Sequence, residues 1–188
     1  MAFIASLWLP IIVAAVGVFI LSSITHMVLP YHRSDVKKLP ADKEDALLDA
    51  FGRLNLSPDD YVIPHPGSQA GMRDPAFIAK ATKGPHVFFT FERGSAPSMG
   101  PYLALWFVYC LVVSGVAAYV VWRVLGPGDR FSAVLKLGCT VAFLSYGVAL
   151  PQMSIWYRRS WTTTVKSLFD SVLYGLATGA AFAYLWPK

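Results

Sequence analysis

The residues best suited to chemistry lie at the end of the first apolar run of this 188-residue chain. His26 and His32 are followed closely by Asp35. Two imidazoles and a carboxylate are ligands that zinc, iron or copper accepts. Their spacing matches no established metal-binding motif, and Pro30 interrupts the helix that would align them. The residue types therefore permit a metal site, whereas the spacing favours an interfacial role for His26 and predicts no bound metal.

A second pair of ionisable residues, Lys166 and Asp170, lies near the start of the last apolar run. Residues four apart share one face of a helix. A carboxylate within a membrane span is a candidate for proton or ion transfer. The polar residues of the other runs are too scattered to continue such a path. The pattern therefore favours a boundary ion pair that orients the last span.

Small residues recur every four positions along the same run, and they predict close helix packing. Small side chains let two helix backbones approach closely in lipid, where no hydrophobic force drives association. The partner helix is either internal or part of another chain, and internal packing is the more common case. The strip consists of Ser171, Gly175, Gly179 and Ala183. On the preceding run, Gly138 and Ala142 are also small and four residues apart.

The composition identifies the environment of these residues. Hydrophobic residues make up 55% of the chain, charged residues only 14%, and the mean hydropathy is +0.50. A soluble domain carries roughly 25% charged residues. So little charge excludes a soluble nucleic-acid-binding domain and indicates a membrane protein. Both cysteines, Cys110 and Cys139, lie inside apolar runs and carry no information about redox compartment.

Four continuous apolar runs are each long enough to cross a bilayer as a helix. Proline or a Gly-Pro pair closes every run. A β-barrel would instead show alternating segments of about ten residues. The sequence therefore predicts an all-α membrane protein with four transmembrane helices, at residues 1–29, 102–125, 131–150 and 165–186.

Residues 30–101 form a predicted extramembrane segment between the first two spans. Its nine basic and nine acidic residues balance. Acidic residues at the start and Arg53 at the end suit a helix over 41–54. β-branched and aromatic residues predict short strands at 61–63 and 87–91. The segment is thus expected to be a small α+β unit.

Basic residues predict the orientation of the chain, because cytoplasmic flanks of membrane spans carry an excess of lysine and arginine. Eight basic residues near the membrane lie on the side of the 30–101 segment, and four lie on the side of the termini. The 30–101 segment is therefore predicted to be cytoplasmic and both termini periplasmic.

Residues 26–35 (HMVLPYHRSD) and several short stretches between 154 and 187 resemble a family of small bacterial inner-membrane proteins. The family is uncharacterised, so the resemblance implies a bacterial inner-membrane location and a four-span plan but no activity. The resemblance covers residues 26–35 (HMVLPYHRSD), 154–157 (SIWY), Trp161, 164–166 (TVK), 169–170 (FD), 174–176 (YGL) and 185–187 (LWP).

Function is constrained mainly by what the sequence lacks. It contains no phosphate-binding loop, no nucleophile elbow and no Cys-x-x-Cys motif. The expectation is a non-catalytic accessory or assembly subunit of a membrane complex, without catalytic residues or cofactor. It would contact lipid and a membrane-protein partner, or a second copy through the fourth helix, but no nucleic acid. The alternatives are a small oligomeric transporter or channel, and a membrane enzyme with a metal site at the end of the first helix.

Overall fold

Four long apolar helices dominate the residues described by the computed structural model, 2–94 and 98–188. Each is long and apolar enough to cross a membrane: Ala5–Val28, Gly100–Val124, Phe131–Tyr157 and Trp161–Leu185. The predicted four-helix plan is therefore confirmed, and it indicates a multi-pass membrane protein. Met1 of the first predicted span and residues 95–97 of the predicted 30–101 segment lie outside the described residues.

A short segment of small helices and strands is inserted between the first and second long helices. The first helix continues into a π-helical turn, Ile24–Val28, and then a 3-10 turn, Pro30–Ser34. In chain order the helices and strands are α1 (Ala2–Ser23), α2 (Ala41–Leu54), β1 (Asp59–Ile63), α3 (Pro75–Lys83), β2 (Val87–Phe91), α4 (Gly100–Val124), α5 (Phe131–Gly147), α6 (Pro151–Tyr157) and α7 (Trp161–Leu185).

The chain forms two compact units. The first contains the residues up to Val36 and those from Ser98 onward, and the second contains the residues between. In the first unit the long helices form a ring, in which α1 contacts α4 and α7, while α5 contacts α4 and α7. One buried cluster includes Leu7, Val121 and Phe182, and a second includes Val18 and Tyr174.

The small-residue strip of α7 packs against α5. A Cβ atom placed on Gly179 would lie 2.7 Å from the backbone oxygen of Leu135, and one on Gly175 would lie 2.9 Å from that of Cys139. One placed on Gly138 would lie 3.1 Å from the Cα of Gly179. The other strip positions, Ser171, Ala183 and Ala142, are buried. The strip is therefore covered within the chain, and a partner chain at α7 would use another face.

The ends of the third and fourth helices differ from the predicted bounds. Pro151 starts α6 instead of closing the span, because proline is well suited to the first turn of a helix, where its missing N–H is not needed. The last helix begins at Trp161 rather than at 165. There the hydroxyl groups of Thr164 and Ser154 bond at 2.6 Å in a buried position, which ties α7 to α6.

The second unit is built on a two-stranded antiparallel sheet. Asp59 pairs with Phe91 at one end of the sheet and Ile63 pairs with Val87 at the other. Phe51 of α2 packs on the sheet, with its ring centroid 5.1 Å from that of Phe89. The helix α2 has the same bounds as the sequence indicated, whereas β1 starts two residues earlier.

Candidate metal centre

A sharp change of direction at the end of α1 creates the centre. Leu29 is extended because the residue before a proline avoids helical geometry. Pro30 then starts the 3-10 turn, which folds back along the end of the helix. The imidazole of His32 thereby stacks on that of His26, with centroids 4.0 Å apart and planes 10° from parallel. The break at Pro30 brings the two histidines together rather than separating them.

His32 lies between two carboxylates. Its Nδ1 is 2.6 Å from Oδ2 of Asp35, and its Nε2 is 2.8 Å from Oδ2 of Asp170 on α7. The His32 side chain is only 7% exposed. Ionised carboxylates accept hydrogen bonds and cannot donate them, so both ring nitrogens donate. This sandwich attaches the turn after α1 directly to α7.

Asp170 is a buried carboxylate whose two oxygens are both used. Oδ2 accepts from His32, and Oδ1 accepts from the hydroxyl of Tyr31. Burial, and then the hydrogen bond to Asp170 and its negative charge, raise the pKa of the Tyr31 hydroxyl far above its usual value. Tyr31 therefore keeps its proton and remains a donor to Asp170.

Lys166 supports the other carboxylate. Its ammonium donates to Oδ1 of Asp35 and to Oγ of Ser34, each at 2.8 Å, and also to the backbone oxygen of Tyr31. Burial alone would raise the pKa of Asp35, but hydrogen bonds from His32 and Lys166 outweigh burial and lower that pKa. Asp35 is thus held in its ionised form.

The structure pairs Lys166 and Asp170 differently from the sequence-based expectation. The two residues share one face of α7, as their spacing predicted, but they do not bond each other. Lys166 bonds Asp35, and Asp170 bonds Tyr31 and His32. The reason is tertiary: the turn after α1 brings Asp35 to Lys166 and brings Tyr31 and His32 to Asp170.

His26 is oriented for ligation by its own helix. Its Nδ1 lies 3.1 Å from the backbone oxygen of Ser22 and 3.0 Å from Oγ1 of Thr25. A carbonyl oxygen can only accept, so the proton of a neutral ring is placed on Nδ1 and Nε2 carries the lone pair. Thr25 is buried and its hydroxyl lies 3.4 Å from that of Tyr174.

His26, His32 and Asp170 together offer three ligand atoms that lie within 4.8 Å of one another. Ligands bound to one zinc ion at about 2.0–2.2 Å are themselves roughly 3 Å apart. The 2.8 Å separation between His32 and Asp170 is close to that value, and an ion bound there would replace the proton that Nε2 donates to Asp170. The rings of His26 and His32 are nearly parallel, so binding of one ion by both also requires the exposed His26 ring to turn.

Each candidate ligand also has an orienting partner on its other polar atom. These partners are Asp35 for His32, the Ser22 carbonyl for His26 and Tyr31 for Asp170. Metal-bound histidines in general donate their second N–H to a carboxylate or a backbone carbonyl, and bound carboxylates are themselves hydrogen-bonded.

No protein-family model, curated protein or solved structure matches this chain. The argument for a site therefore depends on this geometry.

A cavity of about 450 Å³ opens beside His26 and Asp170, two of the three candidate ligands. His26 and Asp170 line one wall of the cavity, and Trp106, Tyr146 and Arg159 line others. The volume falls in the range of small-molecule sites. An ion held by the candidate ligands would therefore lie next to a space that water or a substrate can enter.

Sequence reasoning found most of the participants but not their arrangement. It grouped Asp35 with the two histidines, whereas Asp35 takes the outer position and Asp170 supplies the third ligand. It placed Tyr31 beside His32 only as an interfacial residue, and it did not single out Thr25 as a partner of His26. One signal was available, because an ionisable residue inside an apolar helix requires a partner. That rule directs attention from Asp170 to the polar turn after α1.

Proposed function

We propose that the protein is a membrane metalloprotein that binds one divalent transition metal ion through His26, His32 and Asp170. The observation that carries the proposal is the convergence of these three ligand types, each oriented by an outer partner. Two histidines and one carboxylate form the ligand set of many catalytic zinc sites and of non-haem iron(II) enzymes. This function differs from the accessory role expected from the sequence.

The ligand count supports a catalytic rather than a structural ion. Structural zinc sites are closed by four protein ligands, whereas catalytic sites use three and leave a position for water or substrate. Such an ion activates a bound water molecule or polarises a substrate oxygen. The three ligands proposed here would leave room for water or substrate, and two of them line the cavity. A zinc ion would suit hydrolysis and an iron(II) ion oxidation.

Purified protein stripped with chelator and reloaded with zinc or, under anaerobic conditions, iron(II) is expected to bind one ion per chain. The variants His26→Ala, His32→Ala and Asp170→Asn should lose stoichiometric metal. Asp35→Asn should weaken affinity by roughly 10–100-fold, as loss of an outer partner does. Elemental analysis and native mass spectrometry measure both quantities.

His65→Ala and His86→Ala are the matched controls, because these histidines lie in the second unit and, within the described part of the chain, make only local bonds, to Gly67 and Ala81. Both controls should keep full metal content. Because His26 is exposed, His26→Ala should fold normally and is the decisive variant. Full metal content in that variant, or no metal in the parent protein, would reject the centre.

An accessory role remains the second candidate function. The observation in its favour is the set of exposed leucines on α2, namely Leu47, Leu48 and Leu54. Exposed apolar residues in a row are covered in many complexes by a partner. The same native mass spectra discriminate between the two functions, since a stoichiometric second protein without bound metal would favour the accessory role.

We also propose the orientation that the basic residues favour, with both termini in the periplasm of a bacterial inner membrane. The excess of lysine and arginine beside the second unit supports this. Alkaline phosphatase fused after Lys188 should therefore be active, because the enzyme requires the periplasm. A fusion that is inactive although fully expressed would reverse the orientation and place the metal centre at the outer surface.

A further inference from the structure

The cavity beside His26 and Asp170 is charged at one end and apolar at the other. Arg159 lies in the loop between two spans, at the membrane boundary, and lines the cavity. Leu103 and Trp106 line it from one and two turns inside α4. Tyr146 of α5 and Tyr174 of α7 add buried aromatic surface. The cavity thus runs from a cationic end at the boundary to an apolar, aromatic end within the spans.

Arg159 is the cation without a carboxylate partner in this cavity. Among the described residues its guanidinium bonds only the hydroxyl of Ser167, at 3.4 Å, and forms no ion pair. The nearby carboxylate of Asp170 is already occupied by Tyr31 and His32. A half-buried guanidinium binds carboxylate or phosphate groups through two parallel hydrogen bonds. The boundary end of the cavity is therefore suited to an anionic group.

The deep end of the cavity is mostly aromatic, with Trp106, Tyr146 and Tyr174 among its lining residues. The hydroxyl of Tyr146 is buried without a hydrogen-bond partner among the described residues, and its neighbour is the thiol of Cys110, a weak hydrogen-bonding group. Trp106 uses its N–H on Ser22, so only its ring surface remains for a ligand. This end is suited to a hydrocarbon chain.

We propose that the cavity binds a single-chain anionic amphiphile, with its head paired to Arg159 and its chain packed against Leu103, Trp106 and Tyr146. The head is a carboxylate or a phosphate, since the guanidinium accepts both. This inference extends the proposed function, because His26 and Asp170 share the cavity and would place the metal ion beside the head. Binding of the amphiphile itself does not require the ion.

The test uses quenching of Trp106 fluorescence in nanodiscs of phosphatidylcholine. Bromine atoms on a chain beside the indole quench its emission. Dibrominated stearate and a brominated lysophosphatidate provide the carboxylate and phosphate arms, and dibrominated methyl stearate is the uncharged control. We expect saturable quenching by at least one acid, little by the ester, and loss of the signal in Trp106→Phe.

Arg159→Gln is expected to weaken binding of the acid at least about tenfold, because a charged hydrogen-bonded pair is broken. Arg158→Gln is the matched control, since Arg158 is exposed and does not line the cavity. Equal affinity in Arg159→Gln, equal binding of acid and ester, or no saturable quenching would each overturn the proposal.

Repeating the titration with metal-free and metal-loaded protein separates the two proposals. If the protein binds the acid in an arginine-dependent way but takes up no metal, the metal centre is rejected and the amphiphile site is supported. One bound ion per chain without arginine-dependent binding of the acid would support the metal centre and reject the amphiphile site. A higher affinity for the acid in the loaded protein is the result expected if the head lies beside the ion.

Discussion

Replacing Asp170 by alanine is expected to lower the free energy of unfolding by roughly 3–5 kcal/mol, even in metal-free protein. The Asp170 side chain is 3% exposed and carries the charge that balances His32. Its removal leaves the His32 ring, itself 7% exposed, with one donor unpaired, and leaves the Tyr31 hydroxyl without its acceptor. His32 keeps Asp35 on its other ring nitrogen, so the cost arises from the Nε2 donor and the Tyr31 hydroxyl, which both lose their acceptor. Denaturation in mixed detergent micelles measures the change.

Asp129→Ala is the matched control for this prediction. Asp129 is exposed and accepts one hydrogen bond from the backbone of Gly126, so its loss should cost about 1 kcal/mol. A double variant that also carries His32→Ala provides an internal check. Its cost should be smaller than the sum of the single costs, because the second removal eliminates the unpaired imidazole. Additive costs would show that Asp170 and His32 do not stabilise each other.

The four spans could be predicted because lipid imposes a strong constraint on sequence. A helix in lipid must satisfy its backbone hydrogen bonds within the helix. Spans therefore appear as long apolar runs, which a short window of sequence is enough to detect. The same applies to α2, whose acidic first turn and terminal Arg53 are local features. The end of the third span was predicted wrongly, since Pro151 was expected to close the span but instead begins α6.

The centre could not be predicted because its bonds join residues far apart in the chain. His32 and Asp170 are separated by 138 positions, and no local pattern states which residues of two spans will meet. The spacing of His26 and His32 suggested separation by Pro30. The fold-back depends on the π-helical turn and the 3-10 turn, whose geometry the residue types alone do not specify.

The fold and the site depend on each other through α7. The same helix presents its small residues to α5 and its Lys166 and Asp170 to the turn after α1. The strip permits close backbone approach, and the ionisable pair connects the turn after α1 to α7. A change in the strip should therefore affect the centre as well as stability.

Replacing Gly179 by leucine is expected to be the most damaging change in the strip. A Cβ atom at this position would already lie 2.7 Å from both the backbone nitrogen of Cys139 and the backbone oxygen of Leu135. These are backbone atoms of α5, so relief requires the two helices to separate. Overpacking of this kind costs about 1–3 kcal/mol or more. Thermal unfolding in detergent should show a lower Tm, and metal content should fall as α7 shifts.

Gly115→Leu on α4 provides the comparison, because no atom lies within 4 Å of a Cβ placed there. Both variants replace a glycine by leucine in the middle of an apolar helix, so hydrophobicity and helix propensity change equally. Only Gly179 meets a facing backbone. A Tm loss confined to Gly179→Leu would therefore report the α5–α7 contact itself. Equal Tm values for the two variants would mean that the strip does not carry close packing in the membrane.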